Sequence, residues 1–357
     1  MHTRLTRLFG LSAPIVLAPM ALASGGLLAS ACARAGALGL VGGGYGELAW
    51  TRREYTLAMA LAEITLEATL EATFDAPANT ASPIELRSRA ACTSRIGIGF
   101  ITWKLDEDAS ALDWVLAQAQ PPAAVMLSFG DPRPYAQRIA ATGARLICQV
   151  QRMAQVPQAL EAGAQVIVAQ GAEAGGHGMN ALNGRATMSF VPELADWLGC
   201  HAPDTLLLAA GGIADGRTLA ASLLLGADGA LVGSRLWASA ESLASPAAKA
   251  QAVATNGDGT ARSPVFDILR RKNWPAPYDF RAIRNDLHRQ WEDRVDALRA
   301  APDAARAAYD AGLAAGDFSK AHATVGEAVG LIHDLPAAAQ IVLKMGDGAR
   351  QLFDRES

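Results

Sequence analysis

Eight short apolar runs recur between residues 15 and 232, and they constrain the fold more than any other feature of the chain. The runs span residues 15–18, 38–41, 96–100, 124–127, 145–150, 166–169, 206–209 and 230–232. Most of them are followed by a glycine or polar loop and then by a helix-like segment. This alternation of buried strands and helices is typical of a parallel β/α fold.

Eight repeats of this unit predict a (β/α)₈ TIM barrel, and residues 15–232 have about the length that such a barrel needs. The alternative is a doubly wound sheet, whose nucleotide-binding motif would be G-x-G-x-x-G directly after the first strand. Here the first run is followed by Pro19-Met20-Ala21, and the glycines at 42–44 follow the second run with the wrong spacing. The sequence therefore favours the barrel.

The remaining segments are assigned by composition and helical periodicity. Residues 47–73 look helical, and residues 75–94 form a polar, turn-prone excursion. Helix-like runs follow at 237–255, at 282–311 and at 326–343, the last interrupted by Pro336. We predict a barrel of residues 1–235, an added helical subdomain of residues 236–320 beside the barrel mouth, and a last segment, 321–357, packing back on the barrel.

Charge and cysteine content restrict the partners and the compartment. A formal net charge of −4 gives no basic surface for nucleic acid or an acidic membrane face. The four cysteines lack a C-x-x-C pair, which predicts reduced thiols, no metal site and a cytoplasmic protein. Residues 4–33 imitate a secretory signal, but Pro14 and Pro19 interrupt the apolar stretch and favour a buried strand between them.

Glycines follow the last two apolar runs, where barrels often bind phosphate. Gly211-Gly212 comes after the seventh run and Gly233-Ser234 after the eighth. Backbone N–H groups at glycines can approach an anion closely, which indicates a phosphate site. The alternative is that these glycines only form tight turns.

The other strand ends offer a flat, mostly apolar surface that carries two amides. The residues concerned are Ala18, Pro19, Met20, Gly43, Gln149, Gln170, Gly175 and Gly176. Such a surface suits a flavin ring, which needs apolar stacking and hydrogen bonds at its polar edge. Gln149 and Gln170 would provide those hydrogen bonds, although both side chains could instead cap strand ends in solvent.

His177 is the candidate for proton transfer, because it follows two glycines in a loop, residues 170–177, where no hydrophobic period demands a side chain. An unperturbed imidazole has a pKa of about 6.5, which suits acid–base work at neutral pH. The other histidines are predicted to be structural: His2, His201, His288, His322 and His333. Glu173 either shares the site with His177 or faces solvent. Among the cysteines, Cys148 is the candidate for a catalytic role.

At this point the motifs resemble those of a known family, the nitronate monooxygenases, formerly called 2-nitropropane dioxygenases. The matching strings are PIVLAPM at 14–20, GALG at 36–39, GGG at 42–44, QGAEAGGH at 170–177, AAGGIADG at 209–216, LGAD at 225–228 and GSR at 233–235. VFD at 265–267, WP at 274–275, RN at 284–285 and VGEAVGLI at 325–332 also look like the family's helical region. Flavin-dependent enoyl-ACP reductases and NADH:quinone reductases of the same superfamily share much of this pattern.

The resemblance implies an FMN enzyme that oxidises alkyl nitronates with O₂ to a carbonyl compound and nitrite. His177 matches the family's catalytic base, Gly212, Gly233 and Ser234 match phosphate binders, and Met20, Gln149 and Gln170 match positions near the ring. Gly99 departs from the pattern, since many relatives carry asparagine there. The open alternatives are an NAD(P)H-dependent flavin reductase and a flavin-binding protein without turnover, and a homodimer is left open.

Overall fold

The computed structural model describes residues 1–71 and 95–354, so the predicted excursion at 75–94 lies outside the described residues. Strands within the described part are, in chain order, β1 (Ile15–Leu17), β2 (Gly39–Gly44), β3 (Ile96–Ile101), β4 (Ala124–Ser128), β5 (Arg145–Val150), β6 (Val166–Gln170), β7 (Gly176–Met179), β8 (Leu206–Ala210), β9 (Gly229–Val232), β10 (Thr260–Ser263) and β11 (Tyr278–Ile283). Each predicted apolar run forms one strand of a single parallel sheet.

That sheet closes on itself. Its eight strands are parallel and follow the order β1-β9-β8-β6-β5-β4-β3-β2. The two ends of this order meet at a parallel bridge between Val16 and Leu38. There the N–H of Leu17 donates to the carbonyl of Leu38 at 2.8 Å, and the N–H of Leu38 donates to the carbonyl of Ile15 at 3.0 Å. The prediction of a TIM barrel is confirmed.

The barrel sheet has an inner and an outer hydrophobic core, because successive side chains of a strand point to opposite faces of the sheet. The inner core fills the barrel with alternate strand residues such as Leu40, Met126 and Val168. Leu5 and Phe9 join it from the first helix, α1 (Arg4–Phe9). Arg4 of this helix bonds Asp228, just before β9, so α1 covers the amino-terminal end of the barrel.

The outer core lies between the strands and the surrounding helices. Further helices in the described part are α2 (Gly26–Arg34), α3 (Leu48–Glu71), α4 (Thr102–Leu105), α5 (Ser110–Leu116), α6 (Arg133–Ala141), α7 (Val156–Glu161), α8 (Thr187–His201), α9 (Gly216–Leu224), α10 (Ser234–Trp237), α11 (Pro246–Val253), α12 (Val265–Leu269), α13 (Asp286–Trp291), α14 (Val295–Ala300), α15 (Asp303–Ala315) and α16 (Ala338–Asp354). Ile341, Val342 and Met345 of α16 belong to the outer core. None of the helices in this part of the chain is long and apolar enough to cross a membrane.

The region after the barrel differs from the helix-like runs that the sequence predicts. Residues 237–255 do not form one helix, because α10 ends at Trp237 and α11 begins at Pro246, where the Ser245 hydroxyl accepts the N–H of Ala248. Residues 282–311 are also divided: β11 runs to Ile283, and three helices follow. Asn285 caps the first of these helices, because its side chain accepts the N–H of His288. A new helix therefore begins inside the run that the periodicity predicts to be one continuous helix.

The same region contributes two strands to a second sheet, which contains β7, β11 and β10 in antiparallel pairing. β11 lies between the other two and places Phe280 opposite His177. This pairing joins the C-terminal region to the segment that follows β6. His177 therefore lies on a short strand and not in the loop that the sequence predicts.

Candidate active site

A cavity of about 530 Å³ opens at the carboxyl ends of the barrel strands, where TIM barrels place their sites. It brings together His177 and all the predicted cofactor-binding residues: Ala18, Pro19, Met20, Gly43, Gln149, Gln170, Gly175, Gly176, Gly211, Gly212, Gly233 and Ser234. Residues of the C-terminal region close one side of it, among them Trp274, Tyr309 and His322.

The apolar side of the cavity is tightly packed around Pro19. A Cβ atom added to Gly99 would lie 2.3 Å from Cγ of Pro19, and one added to Gly43 would lie 2.5 Å from Cε1 of Phe100. Both glycines are therefore required by packing. At Gly99, Pro19 occupies the space that a larger side chain would need.

The amide of Gln170 is engaged within the protein. Its Nε2 donates to the carbonyl of His177 at 3.1 Å, and its Oε1 accepts Nε2 of Gln151 at 3.0 Å. Gln170 is buried, whereas Gln149 is half-buried on the cavity wall. Gln170 therefore ties the end of β6 directly to β7, and Gln151, which was not among the predicted site residues, holds the amide of Gln170 from the end of β5.

His177 contacts a carboxylate that the sequence analysis did not select. Its Nε2 lies 3.0 Å from Oδ1 and 3.1 Å from Oδ2 of Asp267, which is in α12. The imidazole stacks on Trp274 with ring centroids 3.4 Å apart and an interplanar angle of 12°. Phe280 lies against it at 4.8 Å. The ring is thus held by aromatic contacts and by one carboxylate.

Burial governs the protonation of this pair. It lowers the pKa of His177 well below its usual value, and the positive charges of Arg270 and Arg262 lower that pKa further. Burial also raises the pKa of Asp267 to about 7, although Arg270 and Lys272 act in the opposite direction. The imidazole is therefore neutral at neutral pH and able to accept a proton.

Arg262 fixes the segment that carries the histidine. Its guanidinium is buried and donates to the backbone carbonyls of Gly176 at 3.0 Å and Ala174 at 2.6 Å. It also bonds the carbonyls of Asp279 at 2.8 Å and Ala172 at 3.3 Å. One side chain of β10 thus satisfies four carbonyl groups around β7 and β11.

A positive side of the cavity lies next to this pair. Arg270 and Lys272 both line the cavity. The buried Nη1 of Arg270 has no hydrogen-bond partner among the described residues and lies 3.8 Å from Oδ1 of Asp267. Its guanidinium packs over the ring of Phe280 at 4.6 Å. Arg270 therefore places a positive charge beside the carboxylate of Asp267 at the cavity wall.

His322, which the sequence predicts to be structural, also lines the cavity. Its Nδ1 lies 2.7 Å from the hydroxyl of Tyr309, and burial lowers its pKa to about 3. No motif or hydrophobic period marks this residue in the sequence. Its location follows only from the chain path between α15 and α16.

Glu173 and Cys148 have different surroundings. Glu173 lines the cavity, and its carboxylate accepts the N–H of Thr187 at 2.9 Å and its hydroxyl at 2.9 Å, so it caps α8. Cys148 is buried in the outer core, and burial raises its pKa to about 12. Burial therefore disfavours the thiolate of Cys148 at neutral pH, and this residue is not among those described as lining the cavity. The described residues include no cluster of three or more histidine, cysteine or acidic side chains arranged to hold a metal.

Comparison with known proteins assigns the family. Residues 2–347 match the family model described as nitronate monooxygenase. The chain belongs to the nitronate monooxygenase family. A nitronate monooxygenase of Metarhizium robertsii, npaC, is 33% identical over 271 residues, which are 72% of this chain and 74% of that protein. A nitronate monooxygenase of Neurospora crassa is 28% identical over 366 residues, covering 94% and 89% of the two chains.

Solved structures show the same architecture over the whole chain. FabK from Thermotoga maritima superposes with a TM-score of 0.74 at 23% identity, covering 99% of this chain and 98% of its own. A nitroalkane oxidase from Streptomyces ansochromogenes gives a TM-score of 0.70 at 22% identity, covering 99% of each chain. The resemblance stated from the motifs is confirmed, and the chain is an oxidoreductase of a flavin-dependent family.

The residues at one end of the cavity fit the phosphate of such a flavin. Gly211 and Gly212 adopt φ values of 105° and 77°, which favour glycine. Gly233 has a φ of −101°, and an added Cβ would lie 3.7 Å from Cβ of Ala18, an ordinary contact. A side chain at position 233 would therefore meet only ordinary contacts within the protein.

Proposed function

We propose that the protein oxidises alkyl nitronates with O₂ to a carbonyl compound and nitrite, with FMN as cofactor and His177 as base. The observation that carries the proposal is a buried, neutral imidazole on the wall of a cavity that the cationic side chain of Arg270 also lines. This pairing of a proton acceptor with a cation suits a substrate that is a neutral nitroalkane in one form and an anion in the other.

The proposed cofactor position follows from the residues that line the two ends of the cavity, which are glycine-rich at one end and mostly apolar at the other. Gly211, Gly212, Gly233 and Ser234 would hold the phosphate, since the first N–H groups of α10 have no acceptor within the helix. The flavin ring would lie over Ala18, Pro19, Met20 and Gly43, with Gln149, Gln170, Gly175 and Gly176 along its edges. Bound there, FMN would supply the one-electron redox chemistry of the reaction.

His177 would remove the α-proton of a neutral nitroalkane or orient the nitronate. A low pKa keeps its imidazole unprotonated at neutral pH, so it can accept the proton directly. The contacts with Trp274 and Phe280 hold the ring in one plane, which reduces the reorientation needed before reaction. These aromatic side chains also exclude water from the imidazole.

Arg270 would bind the anionic oxygens of the nitronate. Its side chain lines the cavity, and its Nη1 makes no hydrogen bond within the described part of the chain and lies 3.8 Å from Oδ1 of Asp267. Lys272 adds a second positive charge on the same side of the cavity. A hydrogen bond to an ionised group contributes more than a neutral one, so this side favours the anion.

The proposal is tested with purified protein under air. Oxygen uptake and nitrite release after addition of propyl nitronate alone are the expected result. Rapid anaerobic bleaching of the flavin by NADH, without nitrite from nitronate, would instead identify an NAD(P)H-dependent flavin reductase. A colourless protein that cannot be reconstituted with FMN would remove both functions.

His177→Asn tests the base. We expect the variant to retain FMN and to lose about 10²- to 10⁴-fold in turnover of neutral nitroalkanes, with preformed nitronates less affected. His201→Asn is the matched control, because His201 is an exposed histidine of α8 outside the cavity. Equal loss of activity on the neutral and anionic substrates would show that His177 is not the base.

A further inference from the structure

We infer that Asp267 is a positioning residue that accepts the Nε2–H of His177 and thereby keeps Nδ1 as the proton-accepting atom. The inference rests on the proposed function for its kinetic consequence, whereas the tautomer itself is a property of the protein alone. A neutral imidazole carries one N–H, so the nitrogen that donates determines which nitrogen can accept.

The geometry places the carboxylate at one nitrogen only. Both oxygens of Asp267 lie within 3.1 Å of Nε2, and the two side chains are 8% and 6% exposed. Among the described residues no hydrogen bond is made by Nδ1. A carboxylate accepts from Nε2–H, so an ionised Asp267 selects the tautomer whose Nδ1 lone pair is free.

Position alone does not require the carboxylate. Stacking on Trp274 and packing against Phe280 already hold the imidazole plane, and β7–β11 pairing fixes the backbone of His177. The contribution that remains for Asp267 is the choice of tautomer. An equivalent arrangement of a buried aspartate and a catalytic imidazole orients the base in serine hydrolases, where removal of the charge mainly affects turnover.

Charged and titratable groups around the pair determine the pH at which Asp267 ionises. They are Arg262 on β10, Arg270 and Lys272 after α12, Asp279 on β11, Tyr45 after β2, and His322 between α15 and α16. Burial raises the pKa of Asp267 to about 7, and Arg270 and Lys272 oppose this increase.

The sign of the pH dependence follows from the two states of the carboxyl group. Above the pKa of Asp267 the carboxylate accepts Nε2–H, and Nδ1 is the base. Below that pKa the Asp267 O–H donates to Nε2, and the imidazole proton moves to Nδ1, which can no longer accept. We therefore expect turnover of a neutral nitroalkane to rise with pH through about 7, with a smaller change for a preformed nitronate.

The first test is a tautomer measurement on the wild-type protein, independent of activity. Long-range ¹H–¹⁵N spectra of histidine-labelled protein, assigned with His177→Asn, distinguish Nε2–H from Nδ1–H. We expect Nε2–H at pH 8.5 and its loss at pH 5.5. A histidine protonated at Nδ1 at pH 8.5 would overturn the inference, whatever the protein oxidises.

The second test removes the carboxylate in two ways. Asp267→Asn can donate to Nε2 as well as accept from it, and Asp267→Leu can do neither. For both we expect loss of the Nε2–H preference, a decrease of about 100-fold in kcat/KM for a neutral nitroalkane, and less than about a threefold decrease for nitronate. Asp279→Asn is the control, since it removes a neighbouring carboxylate that makes no hydrogen bond to His177 within the described part of the chain.

The outcomes separate this inference from the proposed function. If the wild-type protein does not oxidise nitronates, the proposed function fails, while the tautomer spectra still decide the role of Asp267. If the Asp267 variants keep Nε2–H and lose no more activity than Asp279→Asn, the inference fails and the function stands. If neither Asp267 variant folds, the pH dependence of the wild-type spectra decides.

Discussion

Gly233 offers a direct test of where the flavin phosphate binds. We expect Gly233→Ala to weaken FMN binding while leaving the apoprotein as stable as the wild type. The added Cβ would lie 3.7 Å from Cβ of Ala18 and 3.9 Å from Sδ of Met20, so the protein has room for it. The methyl group would instead occupy the side from which a ligand approaches the backbone.

The expected magnitude follows from the bond that the methyl group would displace. A hydrogen bond from a backbone N–H to a charged phosphate contributes about 1.5–3 kcal/mol, so its loss raises the dissociation constant of FMN about 10- to 100-fold. The free energy of unfolding of the apoprotein should change by less than about 1 kcal/mol, because φ at 233 is negative and the contacts are ordinary.

Flavin fluorescence titration of the apoprotein gives the dissociation constant, and urea unfolding gives the stability. Gly99→Ala is the matched control, since its methyl group would lie 2.3 Å from Cγ of Pro19 and should destabilise the protein by about 1–3 kcal/mol. An unchanged FMN affinity in Gly233→Ala, with affinity lost only in the destabilised control, would refute phosphate binding at Gly233.

Two further variants test the positive side of the cavity and the support of β7. Arg270→Gln should raise KM for a nitronate roughly tenfold in steady-state kinetics. The control is Arg271→Gln, which replaces an exposed neighbouring arginine and should leave KM unchanged. Equal effects of the two substitutions would contradict anion binding by Arg270. Arg262→Met should lower the free energy of unfolding of the apoprotein by about 3–5 kcal/mol in urea, because four carbonyls lose their donor. A change below about 1 kcal/mol would show that water replaces the guanidinium.

The barrel could be predicted because each of its strands is buried on both faces. Such strands are continuous apolar runs, so their number and order are visible without any knowledge of contacts. Glycines that need positive φ or close approach, such as Gly212, mark the strand ends in the same way. This is why the predicted cofactor residues converge on a single cavity.

The C-terminal region could not be predicted in the same way. Its strand β11 pairs with β10 on one side and on the other with β7, a segment more than 90 residues earlier, and local periodicity contains no information about that pairing. The contact between His177 and Asp267 spans 90 positions and depends on this second sheet. The carboxylate, the cation of Arg270 and the imidazole of His322 were therefore accessible only through tertiary structure.

Helix α1 and the cavity lie at opposite ends of the barrel, which has a practical consequence. Leu5 and Phe9 are buried under the amino-terminal ends of the strands, and the residues that line the cavity lie at the carboxyl ends. A flexible tether attached before Thr3 would orient the molecule with its opening away from a solid support. Protein immobilised on an electrode in this way would leave substrate diffusion unobstructed, whereas random coupling through surface lysines would not.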